Sequence, residues 1–260
     1  MLRCIGLQTH YRYIAIVICL LGMYGFFGQQ VFAFDYQDGD IVHGEYLCDL
    51  ISPLEIPDDA YDGSLGSPST ASDTINLNWL DHQIAPGHTV DDLSVTLWMS
   101  SSFIGDLTIK LEHDDTIVTM LNRPGIVGIP DDGSVPGGSS ANLSFLYPIT
   151  FTDHELDYAA ELMGSTITTS DFVGDPANGS SDTYFPYGDD VEPDTLSTFI
   201  GGSAYGDWTL HIGDSSPNAG DVPAAELQKW SISLDRVVPE PSSFLLLCGI
   251  SGLLFRRNTR

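Results

Sequence analysis

Seven histidines and 36 acidic residues are the side chains with which this 260-residue chain would have to do hydrolytic chemistry. A serine protease needs a nucleophile, a base and an orienting acid in hydrogen-bond contact. Bases exist in principle at His43, His82, His88, His113, His154 and His211, but no Gly-x-Ser-x-Gly elbow occurs and no protease-like catalytic segment surrounds any of them. His154-Glu155 opens like the helix of a zinc protease, yet Tyr158 stands where the second histidine belongs. Paired carboxylates for glycoside hydrolysis carry no information here, because among so many acids some pair must lie at a suitable distance. There is no Cys-x-x-Cys, no glycine-rich phosphate cradle and no basic patch. The expectation is a protein that is not an enzyme. Carboxylates and loop carbonyls suit calcium better, since it takes six to eight oxygen ligands. No EF-hand is intact, because DPANGSSD (Asp175 to Asp182) departs from that loop at its third position.

The charge pattern narrows the partners. Nine basic residues oppose the acids for a formal net charge of -27. Only Lys110, Arg123, Lys229 and Arg236 lie between the two termini. Such a body is repelled by phosphate backbones, so nucleic acid is excluded as a partner. Divalent cations are natural counterions, and solubility of an exported protein explains the same excess.

The N-terminus carries Arg3 and Arg12, then the apolar run Ile14 to Phe27, then QQVFA with small Ala33 as a cleavage point. Residues 1–33 therefore read as a secretory signal peptide for a Sec-type export machinery, with an uncleaved membrane anchor as the alternative. Cys4 and Cys19 fall in this leader and Cys248 in the tail, so Cys48 is alone in the mature body. A disulfide cannot form within that body, and the core must hold it.

The elements that would position any site are strands. LSVTLWM (Leu93 to Met99) and LTIKLE (Leu107 to Glu112) alternate apolar and polar residues, which predicts half-buried strands. TIVTML (Thr116 to Leu121), LSFLY (Leu143 to Tyr147), DWTLHIG (Asp207 to Gly213) and LQKWSISL (Leu227 to Leu234) continue the series. Only LDYAAELM (Leu156 to Met163) reads as helical. Residues 34–53 are acidic and weakly patterned, a lead-in or edge segment. Gly-, Pro-, Ser- and Asp-rich loops separate the strands, so the predicted fold is all-β, a two-sheet sandwich or jelly roll. One echo stands out: SFIGDLTIKL (Ser102 to Leu111) and SAYGDWTLHI (Ser203 to Ile212). In both, Gly-Asp leads into an apolar-Thr-apolar strand, so Gly105 and Gly206 are expected to supply turn angles and Asp106 and Asp207 to accept an N–H.

These segments, with IPDD (Ile56 to Asp59), ITFTDHELDYAAEL (Ile149 to Leu162) and AYGDWTLHIGDSSPNAGDVPAAELQKWSISL (Ala204 to Leu234), resemble the P domain, or P/Homo B domain, of kexin- and furin-type proprotein convertases. The resemblance covers residues 54–236 and implies a jelly-roll β-sandwich. It implies no proteolysis, because the catalytic domain that usually precedes the module is expected to be absent. Asp171 to Thr195 is longer than the family's usual segment; its Tyr184, Phe185 and Tyr187 would either form a contact surface or pack over the sandwich rim. Some family members bind calcium at one sandwich end, and the resemblance brings the acids of IPDD and FTDHELD there. The candidate ligands are Asp58, Asp106, Asp153, Glu155 and Asp157. For Asp106 a turn-capping carboxylate is the alternative; for the others it is a solvated loop.

Residues 237–260 add an address. Pro239-Glu240-Pro241 precedes an apolar segment from Phe244 to Phe255 and the pair Arg256-Arg257. Those 12 residues fall short of the ~20 that a helix needs to span a bilayer. The tail is similar to a PEP-CTERM sorting signal, a short hydrophobic helix that holds a precursor in the inner membrane until an exosortase-like peptidase cuts near Pro-Glu-Pro. The function expected is thus an exported module, binding or structural, sorted to the cell surface or matrix, with an extracellular polysaccharide or surface protein as partner. The alternative is an accessory module of a serine endopeptidase, or an uncharacterised extracellular hydrolase.

Overall fold

The computed structural model describes residues 30–38, 41–58, 61–65, 70–126, 138–154, 158–165, 167, 171–187, 195–215 and 225–238. Among them, strands run in chain order as β1 (Gln30–Asp38), β2 (Ile41–Glu55), β3 (Thr70–Leu77), β4 (Thr89–Ser100), β5 (Leu107–His113), β6 (Thr116–Asn122), β7 (Ile149–Thr152), β8 (Thr183–Tyr184), β9 (Gly206–Asp214) and β10 (Glu226–Val237). They form a six-stranded sheet in the order β1-β2-β10-β4-β7-β8 and a four-stranded sheet in the order β3-β9-β5-β6. All pairings are antiparallel except β7 with β8. The protein is mostly β, and one apolar core lies between the sheets, as in a β-sandwich.

Two phase breaks in the sequence pattern have one cause. In β4 the buried residues Leu93, Val95, Leu97 and Met99 are odd-numbered, but Val90 is buried too. The register with β10 slips between Asp235 and Arg236, so a bulge in β4 returns Val90 to the inner face. In β10, Trp230, Ile232 and Leu234 face the core, and a slip between Leu227 and Lys229 brings Leu227 to the same face.

Several expectations need correction. LSFLY is not a strand: Leu143 exchanges two main-chain hydrogen bonds with Ser101, and the chain then turns, with the Tyr147 N–H donating to the Ser144 carbonyl. Phe145 and Leu146 are left exposed, as adjacent apolar residues in a turn must be. Of the expected helix only a 3-10 turn at Ala160–Leu162 forms, and residues 155–157 lie outside the described residues. The single α-helical turn described is α1 (Trp79–His82), whose N-cap Asn78 accepts the N–H groups of Leu80 and Asp81. Of residues 34–53, 34–38 lie in the edge strand β1, as the edge alternative expects, whereas β2 lies between β1 and β10 with its Tyr46 and Cys48 fully buried. Ala33 pairs with Tyr46 inside β1. No helix among the described residues is long and apolar enough to cross a membrane. The remaining leader, Pro239, Glu240, Pro241, Arg256 and Arg257 lie outside the described residues.

Candidate binding surface

The outer face of β3, β9 and β5 carries cross-strand polar pairs. Alternation puts Ala71, Asp73, Ile75 and Leu77 of β3 inward, leaving Ser72, Thr74 and Asn76 outward. Register sets Thr74 against Thr209 and Asn76 against Asp207. The two threonine hydroxyls are 3.0 Å apart, and the Asn76 amide donates to the Asp207 carboxylate. Across β5, His211 Nε2 meets Glu112 Oε2 at 2.8 Å. The face is therefore a ladder of paired side chains, each rung stabilising the sheet by about 0.2–1 kcal/mol.

The ladder is closed at one end and open at the other. At the closed end Tyr61, held by a hydrogen bond from its N–H to the Asp214 carbonyl, covers the face. Its ring lies against Gly213, where a Cβ would come within 2.2 Å of a ring carbon. Lys110 Nζ stands 5.8 Å from the ring centroid. This cover explains a departure from expectation: Thr108 and Lys110, predicted on a wet face, are buried.

At the open end the polar chain continues from Asp207 and Asn76 into α1. The Asn78 amide donates to Asn76 Oδ1 at 2.6 Å and to Asp81 Oδ2 at 2.9 Å. Its Oδ1 accepts from the N–H groups of Leu80 and Asp81 at 2.8 and 3.0 Å. Beside it Trp79 is 58% exposed and Leu80 90%. Leu77 pairs with Gly206, where the chain turns out of β9. Below this rim, inward Trp208 stacks on His113 with ring centroids 3.9 Å apart, and the His113 ring nitrogens contact the Ser203 and Asp207 carbonyls at 2.8 Å each. The rim thus rests on a packed aromatic base.

A second polar row crosses the outside of the six-stranded sheet. Asp235 is the register partner of both His43 and Asp92. His43 Nδ1 lies 2.6 Å from Asp235 Oδ1, and His154 Nε2 lies 2.7 Å from Asp92 Oδ2. Neighbouring carboxylates on paired strands repel, and each is flanked here by an imidazole. The hydrogen bond and charge of Asp92 push the His154 pKa up, helped by Asp153 and Asp235.

Of the five acids expected as calcium ligands, Asp58, Asp106 and Asp153 are among the described residues, and Asp153 stands apart from Asp58. Asp58 is exposed beyond β2, where Ile56 bonds to Ala225 beside Glu226 and Ser100. Asp153 follows Thr152, which pairs with Ser94. Six residues of β4, about 20 Å at strand rise, separate those positions. Asp153 has another role: its oxygens accept the N–H groups of Leu196 and Ser197 at 3.0 and 2.6 Å, capping the 3-10 turn Leu196–Phe199. Asp106 is buried in the turn Ile104–Asp106, at the same end as Asp58. Glu155 and Asp157 lie outside the described residues. Among the described residues, no group of three or more His, Cys, Asp or Glu is arranged to hold a metal ion.

Of the loop aromatics, Tyr184 is buried with its hydroxyl donating to the Ser181 carbonyl, and Tyr187 packs against the core. Tyr184 and Tyr187 thus pack over the sandwich rim, and Phe185 is half-buried. The sequence reading missed Asn76, Asn78 and Trp79. The signal was present as N-x-N-W-L-D, an N-cap asparagine before an aromatic with an acid three residues on. No protein-family model matches the chain, and neither does any curated protein.

Proposed function

We propose that this chain is an exported, non-catalytic module of jelly-roll type, held at the cell surface or in the extracellular matrix, which meets its partner through the open end of the polar ladder. The observation that carries this reading is the rim itself: a hydrogen-bonded chain from Asp207 through Asn76 and Asn78 to Asp81, beside exposed Trp79. A contact surface of this kind needs a rigid base, and the Trp208–His113 stack supplies one. The described histidine contacts suit a scaffold, since His43, His154 and His211 hold carboxylates and His113 meets main-chain carbonyls. Export is supported by the leader pattern and by the Pro-Glu-Pro tail, with the resemblance to P/Homo B modules in accord.

A cut after Ala33 would leave Phe34 to Asp38 still paired with Ile41 to Glu45, so processing is compatible with the sheet. Mass spectrometry of the protein recovered from outside the cell tests the export reading. The expected masses begin after the leader and end near Pro241; exported protein that retains Arg260 would overturn it. Retention on intact cell envelope tests the contact surface. Trp79→Ala should be released where the parent chain is retained, and equal retention would assign contact elsewhere.

A further inference from the structure

We propose that the partner at the Asn76–Asp207 rim is an uncharged, hydroxyl-rich polysaccharide chain. This rests on the reading that the rim is the contact surface, and adds the chemistry of what it takes. The argument begins with hydrogen-bond capacity. Asn78 is fully used, with both amide hydrogens donated to Asn76 Oδ1 and Asp81 Oδ2 and its oxygen accepting two main-chain N–H groups. Asn76 spends one amide hydrogen on Asp207 Oδ1. That leaves one amide hydrogen of Asn76, Oδ1 of Asp81 and Oδ2 of Asp207 at the exposed edge. A donor thus stands beside two acceptors, all fixed before any ligand arrives, so little ordering cost attends binding.

A hydroxyl donates and accepts at once, so it uses both kinds of group. A lysine or arginine side chain only donates and leaves the Asn76 hydrogen unused. The net charge of -27 repels an anionic chain. Trp79 adds exposed aromatic surface with a polar handle on its ring. The apolar face of a sugar ring stacks on such surface while its rim hydroxyls reach polar neighbours. The ladder behind them, Thr74–Thr209 and Glu112–His211, offers further hydroxyl and carboxylate groups along the same face.

Affinity electrophoresis of the purified full chain tests this, in gels containing an uncharged glucan, xylan or galactomannan, with alginate as the anionic control and polylysine as a basic probe in solution. At least one uncharged chain should retard the protein. Trp79→Ala should weaken that retardation roughly tenfold or more, and Asp207→Asn should weaken it less. Both variants should unfold at the parent's temperature to within a few degrees, since Trp79 and Asp207 are exposed. Retardation by none of the uncharged chains, undiminished binding by Trp79→Ala, or binding of polylysine alone would each overturn the proposal. If Trp79→Ala loses cell-envelope retention while no uncharged polysaccharide binds, the contact surface stands and the polysaccharide falls.

Discussion

Replacing Trp230 by Phe should expose how the two sheets are fastened. Trp230 is fully buried in β10, and its indole N–H donates to Asp73 Oδ2 of β3 at 2.6 Å, across the core. Cys48, the register partner of Trp230 on β2, hydrogen-bonds the same carboxylate through its thiol. Asp73 is 8% exposed, so a lost donor is not replaced cheaply by water. A hydrogen bond to a charged group contributes about 1.5–3 kcal/mol. At about 2–4 °C per kcal/mol for a domain of this size, a 2 kcal/mol loss lowers Tm by about 4–8 °C. The smaller ring adds a cavity cost, so the hydrogen bond must be isolated by a cycle with Asp73→Asn. Urea unfolding of the two single variants and the double should give a coupling energy of about 0.5–3 kcal/mol. Additivity within about 0.5 kcal/mol would refute the argument that this bond joins the sheets. The thiol gives a second reading. Burial first, then the hydrogen bond and charge of Asp73, push the Cys48 pKa well above the ordinary value of 9.0. The folded state keeps that proton where the unfolded chain loses it, so this contribution is complete below about pH 9 and falls as pH rises further. Cys48→Ala should flatten that alkaline loss.

Three further outcomes follow from contacts at the surface. Gly213→Ala places a methyl group against the Tyr61 ring, and overpacking of about 1–3 kcal/mol is expected; urea unfolding of Gly213→Ala combined with Tyr61→Ala should show less than the sum of the two losses. By NMR titration His154 should keep its proton above the ordinary histidine range, and Asp92→Asn should return it towards 6.5. The small stability from this exposed pair is complete below the unfolded pKa and lost as pH rises through the folded one; an unmoved His154 titration in Asp92→Asn would contradict the contact. Asp153→Asn should lower Tm by the same amount with calcium and with chelator, because its oxygens cap a turn; a loss confined to calcium would restore it as a ligand.

What the sequence made legible was the alternation. β4, β5, β9 and β10 follow from apolar residues at period two, and bulges account for the phase slips that blur their ends. Less legible was anything that depends on a distant partner. β2 looks featureless because Gly44, Tyr46 and Cys48 make an unusual inward face, and only pairing with β10 explains it. Lys110 reads as solvent-facing because Tyr61, 49 positions earlier, is what covers it. Asp153 reads as a loop acid because the N–H groups it caps arrive 43 and 44 residues later.

The Gly-Asp echo shows how one sequence device serves two ends. Lys110 and His211 hold equivalent places in the two ten-residue stretches, and they are register partners in the antiparallel β5–β9 pair. A local two-fold relation therefore passes through that pair and sends the two Gly-Asp turns to opposite ends of the sheet. At one end Gly105 needs no unusual backbone angle; it is required because Gly138 and Ser139 main-chain atoms would lie 2.6 Å from its Cβ. Packing there buries Asp106. At the other end Gly206 has φ +124°, as a turn glycine should, and a Cβ there would meet only His113 and Asp114 side-chain atoms, at 3.5 and 3.9 Å. Asp207 stays exposed and bonded to Asn76. The same motif is a closed structural turn at one end and an open rim at the other. The difference lies in what the neighbouring segments cover, which is why the proposed contact surface is placed at one echo and not at its twin.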